Sequence, residues 1–382
     1  MNQMSKKEAI LFACCDSLYW GCVACFLGFA GCFFLDCGME SSVLSLVIAA
    51  YQLLALGGGF FWGGLCDRLE TNRKIFIPVF AGYLVCMSLT YYFGTRNLPL
   101  ACVMYFAAGF LIASMGTNLD VWILRTVHYD PDYFGVIRGI GSMGWAIAVL
   151  ICGFLIDAYG YSVMVISSLI LAAATYVFVF ILKEPPYVRE KRTRVRARDL
   201  VGNRNYVFLI VVILLCGMAI SPVGNLQAVF LQEVGGDVGM LGIDSFVGVT
   251  FQGLFIIISG KLERLSAHLR MVLMCALLAA ELTVTGLAQS PFLIIMGMVF
   301  ANVSYGIMMP TMRELVTRYV PEHLRNTAHS LSDLIFGSLS AIISLIYSSA
   351  LIHSFGMKSI VIVGLFIIAV PMLLTLKKDS FR

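Results

Sequence analysis

GGLCDRLETNRK, residues 63–74, gathers acids and bases into a few positions between two stretches that carry almost none. The stretches on either side, 42–66 and 74–95, each reach the ~20 mostly apolar residues that a helix needs to cross the hydrocarbon core. Working outward, the same alternation runs through all 382 residues. The expected spans are 9–35, 42–66, 74–95, 98–124, 134–157, 161–182, 205–232, 239–260, 270–289, 291–313, 326–352 and 357–376. Composition agrees, since 60% hydrophobic against 13% charged residues leaves too little polar surface to cover a globule in water. The expected fold class is an all-α membrane protein of twelve transmembrane helices.

The polar breaks are not alike. Of the 26 Lys and Arg residues, 23 fall at the chain ends or in even-to-odd connections; Arg138 lies inside a helix, and Arg96 and Lys358 fall on the opposite side. Lys and Arg are retained on the cytoplasmic side of short loops, so both termini are expected in the cytoplasm and the chain in the plasma (cytoplasmic) membrane. The net charge of +4 is a by-product of that topology, and the basic run REKRTRVRAR at 189–198 is expected at the lipid surface, not on nucleic acid. The first apolar run is too long, and too poor in a small-residue cleavage site, to be a removable signal.

The longest polar segment, 183–204 with Pro185 and Pro186, is too short to bury a core of its own. It divides the runs into an N-terminal six-helix bundle (1–182) and a C-terminal one (205–382). No segment remains for a soluble catalytic domain, and no enzyme activity is expected. Nothing reads GxxxxGK[ST], and the five His residues make no zinc pattern, so neither ATP, metal nor cofactor is expected. The twelve cysteines lie almost entirely in apolar runs, where a thiol acts as a small hydrophobe; Cys22 and Cys25 are read as packing.

Two echoes join the halves. GGLCDRLETNRK is answered after the eighth run by SGKLERLSAHLR (259–270), which sets Asp67-Arg68 opposite Glu263-Arg264. Tyr129-Asp130-Pro131-Asp132 is answered at a similar offset by Tyr319-Val320-Pro321-Glu322. Repeated bundles of this kind are a common way to build a transporter. Gly63, Gly64, Asp67 and Arg68 with Arg73 and Lys74 resemble the loop signature of the major facilitator superfamily, except that Glu70 stands where the family usually has glycine. The resemblance covers essentially the whole chain and implies two pseudo-symmetric bundles. These six residues are then a cytoplasmic gate: the glycines let a helix approach closely, and the charges form ion pairs that break as the bundles part. The alternative is that they only mark a cytoplasmic loop.

An ionisable group within the membrane is costly and normally faces a partner or a wet cavity. Reading inward from the span ends gives Asp16, Asp120, Arg138, Glu281 and Asp333. The fourth run carries Gly109, Ala113 and Gly116 or Thr117 on the face that presents Asp120, so that a backbone could approach there. In FGVIRGIGSMGWAIAV (134–149), Arg138, Ser142 and Trp145 fall at i, i+4 and i+7, one stripe of one helix. A guanidinium fork takes hydroxyl oxygens and an indole covers a ring's C–H face, so the stripe suits a sugar; it would also suit a carboxylate. The alternative is a structural Asp120–Arg138 pair with Trp145 as packing. The seventh run adds Ser221, Pro222, Asn225 and Gln227, with Pro222 interrupting the backbone ladder in a way that could bare carbonyls to a cavity.

Phe134, Gly135, Arg138 and Trp145, with an acid eighteen residues before the arginine at Asp120, resemble the lactose permease branch of proton-coupled oligosaccharide, nucleoside and phenylpropionate permeases. The resemblance implies that Asp120 and Arg138 hold substrate hydroxyls while Trp145 stacks on the ring. Gln252 aligns with that branch's glutamate on the eighth helix. Its other C-terminal charges have no counterpart here, so the proton carrier would be Glu281, Asp333, Asp16 or Asp120 itself.

The function expected is secondary active transport of a small polar solute by alternating access, proton-coupled, with a sugar or glycoside first and a nucleoside or aromatic acid next. Proton-driven export of an amphipathic compound is the alternative, disfavoured because 139–154 contains no proline; a receptor or scaffold would need an interaction domain that the spans leave no room for. The partners expected are the solute, protons and the bilayer, and the protein is expected as a monomer.

Overall fold

Hydrocarbon offers no partner to main-chain N–H and C=O groups, so an apolar run that enters it must satisfy them internally as a helix. The computed structural model describes residues 6–127, 131–185, 200, 202–262 and 264–376, and among these every regular element is helical. The central segment 186–199, and Tyr129, Asp130 and Glu263 of the two echoes, lie outside the described residues. Twelve helices are long and apolar enough to span: α1 (Lys7–Asp36), α2 (Ser41–Leu69), α3 (Arg73–Gly94), α4 (Leu98–Thr126), α5 (Phe134–Tyr159), α6 (Ser162–Ile181), α7 (Arg204–Asn225), α8 (Val238–Ile258), α9 (Ala267–Gly286), α10 (Pro291–Tyr319), α11 (Thr327–Phe355) and α12 (Lys358–Leu376).

The chain forms two compact units. The first comprises Met1–Met39, Ala50–Glu190 and Asp237–Phe246, and the second Glu40–Ala49, Lys191–Gly236 and Val247–Arg382. The first turns of α2 thus belong to the second unit, where Ser45 Oγ donates to the Leu345 carbonyl at 2.8 Å. The first turns of α8 belong to the first unit, where Asp157 accepts from the Val238 and Gly239 amides at 3.1 and 2.6 Å.

In the first unit α1 packs against α5 and α6, and α3 against α4. Lipid tails are as apolar as the side chains, so close contact, not exclusion from water, holds such helices together. Tyr19, Phe76, Phe80 and Tyr83 are fully buried, with the Phe80 ring 5.5 Å from Tyr19 and 5.3 Å from Phe76. In the second unit α9 packs on α10 and α12, and α7 on α11 and α12.

Several helices are interrupted where hydropathy gave no warning. α1 breaks between Leu27 and Ala30, where Gly28 passes so close to α5 that a Cβ there would meet Val149 Cγ2 at 2.7 Å. The run expected at 205–232 is two helices, α7 and a separate Gln227–Glu233, with the chain turning at Leu226. Within α11, Ile335–Leu339 forms a wide π-type turn. Pro222 does not end α7: the helix continues to Asn225, and the Met218 carbonyl, four residues before the proline, accepts from Tyr347 Oη of α11 at 2.7 Å. The carbonyl that proline frees is therefore taken up by a neighbouring helix and not left to a cavity.

Candidate functional site

Three helices of the first unit converge on Arg138. From α5 its guanidinium reaches to within 3.9 Å of Asp16 on α1 and 3.6 Å of Asp120 on α4. Both distances exceed a hydrogen bond, so the pairs are electrostatic contacts whose N–H donors are not committed. Asp16 is fully buried, whereas Asp120 and Arg138 keep 26% and 33% of their side-chain surface exposed, so the cluster has a sealed end and an open one.

Aromatic rings complete it. The Arg138 guanidinium carbon lies 4.4 Å over the Trp20 ring, within the range of a cation–π contact. Trp20 in turn is 6.1 Å from Trp145, the two rings inclined at 60°. The sequence reading missed Trp20, although its position four residues after Asp16 puts both on one face of α1.

Small residues make this convergence possible. A Cβ at Gly141 would collide with the Asp16 carboxylate, and one at Gly144 would lie 2.8 Å from Ser17 Cα, so α5 meets α1 nearly backbone to backbone. On α4 a Cβ at Gly116 would stand 2.8 Å from the Trp20 ring, and one at Gly109 2.6 Å from the Tyr51 ring. The small face of α4 therefore receives rings, where the sequence suggested a backbone.

The Ser142 hydroxyl donates to the Arg138 carbonyl of its own helix at 3.2 Å, which leaves its oxygen free to accept. Asn225, Gln252, Glu281 and Asp333 lie in the second unit. Asn225 Nδ2 donates to the Ser221 carbonyl at 2.8 Å, Gln252 is half-buried, and Glu281 is buried on α9. Asp333 accepts from Arg313 of α10 at 2.7 Å, with both side chains substantially exposed. Arg313 was passed over in the sequence because it stands at a span end, and buried Asp244 because it lies only a few residues into α8.

The loop after α2 begins at a left-handed residue. Glu70 has φ +53° and the Thr71 amide donates back to the Cys66 carbonyl at 3.2 Å, a helix end of Schellman type that favours glycine. In this chain the position is left-handed, and glutamate fills it. Asp67 and Arg68 sit in the last turn of α2, and neither Gly63 nor Gly64 has a neighbour within 4 Å of where a Cβ would stand.

The carboxylate of Glu184, beyond α6, accepts from Thr71 Oγ1 at 2.7 Å and from the Asn72 amide, and lies 3.7 Å from Arg125. Asn72 Nδ2 donates to the Asn118 carbonyl at 2.8 Å and Arg73 to the Phe180 carbonyl at 3.1 Å. Loop, α4 and α6 are tied together by Glu184, which the sequence offered only as part of a linker.

The sequence matches the family model described as Major Facilitator Superfamily over residues 11–345. A maltose permease of Geobacillus stearothermophilus is 26% identical over 305 residues, covering 79% of this chain and 77% of that protein. Among solved structures, a mutant of the nucleoside transporter NupG superposes with a TM-score of 0.85 at 12% identity, covering 98% of this chain and 100% of that one. A D-xylose-proton symporter superposes with a TM-score of 0.73 at 13% identity, covering 98% of each chain. At these identities the two structures speak for the fold.

Proposed function

The chain belongs to the Major Facilitator Superfamily, and on that premise we propose that it is a proton-coupled symporter of a small polar solute working by alternating access. A sugar or glycoside comes first; a nucleoside or aromatic acid is next. The protein acts as a monomer in the plasma membrane with both termini cytoplasmic, bundles 1–182 and 205–382 moving as the two halves. The similarity to a maltose permease supports the solute class.

One observation carries the reading: Arg138 stands between two carboxylates, 3.9 and 3.6 Å away, under one tryptophan and near another. Two acids and one base leave an excess negative charge, which a single proton neutralises. While both acids are ionised they compete for the guanidinium. When one is protonated, its hold weakens and the planar fork of N–H donors turns to hydroxyl oxygens of the solute. Asp120, on the open side, accepts from the same solute, and Trp145 lies against its ring face. Asp16, fully buried, is the proton carrier in this scheme. Asp333, committed to Arg313, and Glu281 stand second to Asp16 in that role.

Uptake into sealed vesicles against a panel of sugars, nucleosides and aromatic acids, with and without a proton-collapsing ionophore, tests this. Accumulation of one of these solutes that disappears with the ionophore is expected. Outward flux of an amphipathic compound driven by inward protons would identify an exporter and overturn the symport reading.

A further inference from the structure

At the ends of α3 and α6 in the first unit lies a pocket of about 580 Å³ lined by Arg73, Lys74, Ile77, Lys183 and Glu184. Its charge is unbalanced. Glu184, the carboxylate in the lining, is already engaged by Thr71, the Asn72 amide and Arg125. Arg73 donates to a neutral carbonyl, that of Phe180. Lys74 and Lys183 are exposed, and neither has an acidic partner among the described residues. Three cations therefore face a space whose single acid is spent.

The walls say what kind of anion fits. Arg73 begins α3 and Lys183 stands two residues beyond the end of α6, so the cations sit where the spans leave hydrocarbon. Below them, Tyr176 Oη donates to the Ile77 carbonyl at 2.8 Å, closing the floor between the two helices. Val177, Phe180 and Ile181, in the last turn of α6 before Lys183, are each more than half exposed and form a short apolar strip. A positive mouth at headgroup level above an apolar strip matches a phospholipid, phosphate uppermost and acyl chains against the strip.

We infer that Arg73, Lys74 and Lys183 form a binding site for the headgroup of an anionic phospholipid, whose acyl chains lie on Val177, Phe180 and Ile181. The site is separate from the Asp16–Asp120–Arg138 cluster and does not depend on the solute-transport reading. Surface cations each strengthen contact with an anionic headgroup by roughly fivefold, so removing two weakens it about 25-fold.

Native mass spectrometry of the purified full-length protein reads this directly, using phosphatidylglycerol and phosphatidylcholine of the same chains as probes. The unaltered protein should hold phosphatidylglycerol in preference to phosphatidylcholine. Lys74→Gln/Lys183→Gln should lose that preference while still binding phosphatidylcholine weakly, which reports an intact lipid-facing surface. Lys74→Arg/Lys183→Arg, with the charge kept, should retain it. Equal retention of the two lipids by the unaltered protein, or undiminished preference in the glutamine variant, overturns the site. Displacement of phosphatidylglycerol by millimolar inorganic phosphate would assign the pocket to a free anion and overturn the lipid assignment.

Discussion

Asp16 and Arg138 face each other at 3.9 Å from neighbouring helices, the acid wholly buried and neither of its oxygens hydrogen-bonded among the described residues. A buried carboxylate without a full hydrogen bond is poorly compensated, because desolvation is costly. The chain nevertheless builds the contact with care: Gly141 and Gly144 exist in α5 to let Asp16 and Ser17 come this close. The glycines thus set the distance between the acid and the guanidinium.

Arg138→Lys tests the fork. Lysine keeps the positive charge between Asp16 and Asp120 but loses the planar donors and the stacking over Trp20. Solute affinity should fall by about ten- to a hundredfold, the scale of charged hydrogen bonds lost, while membrane insertion and thermal stability change little. Binding to purified protein checks this, and unaltered affinity would take Arg138 out of the site.

Asp16→Asn separates coupling from binding. The cluster then holds one acid and one base, with no excess charge to attract a proton. Exchange of labelled for unlabelled solute across a vesicle membrane should persist, whereas uphill accumulation on an imposed proton gradient should vanish. Accumulation that survives in this variant would move the proton to another group, with Glu281 and Asp333 next to be examined.

Glu70→Gly concerns stability alone. A non-glycine residue in the left-handed region costs about 1–2 kcal/mol, and glycine gives back about half of that through its freer unfolded chain. Glu70 is exposed at φ +53°, so its side chain has little burial to lose. The variant should melt about 1–2 °C higher in detergent, whereas Glu70→Ala, which keeps the Cβ, should not.

How far these sites were legible depends on whether a feature lies along the chain or across it. Apolar run length is a property of consecutive residues, and hydrocarbon enforces it strictly; the helices start and stop near where the runs do. The Arg138, Ser142 and Trp145 stripe was visible for the same reason, since one helix fixes their spacing. Trp20 over Arg138 and Glu184 beneath Thr71 were not, because the registers of α1 on α5 and of α6 on the α2–α3 loop are set by which glycine or carbonyl meets which side chain. The turn at Leu226 and the wide turn at 335–339 left no trace in hydropathy because every residue involved remains helical or nearly so.

The proline in α7 offers the sharpest test of such a cross-helix bond. Pro222 has no N–H for the Met218 carbonyl, and Tyr347 Oη supplies one at 2.7 Å. Tyr347→Phe should leave that carbonyl unsatisfied, at about 1–3 kcal/mol. Pro222→Ala restores the main-chain donor, so in that background the same tyrosine change should cost little. Thermal melts of the four proteins form a double-mutant cycle whose coupling should be about 1 kcal/mol or more. Strict additivity would mean that the hydroxyl serves some other partner, and that the Met218 carbonyl is satisfied in another way.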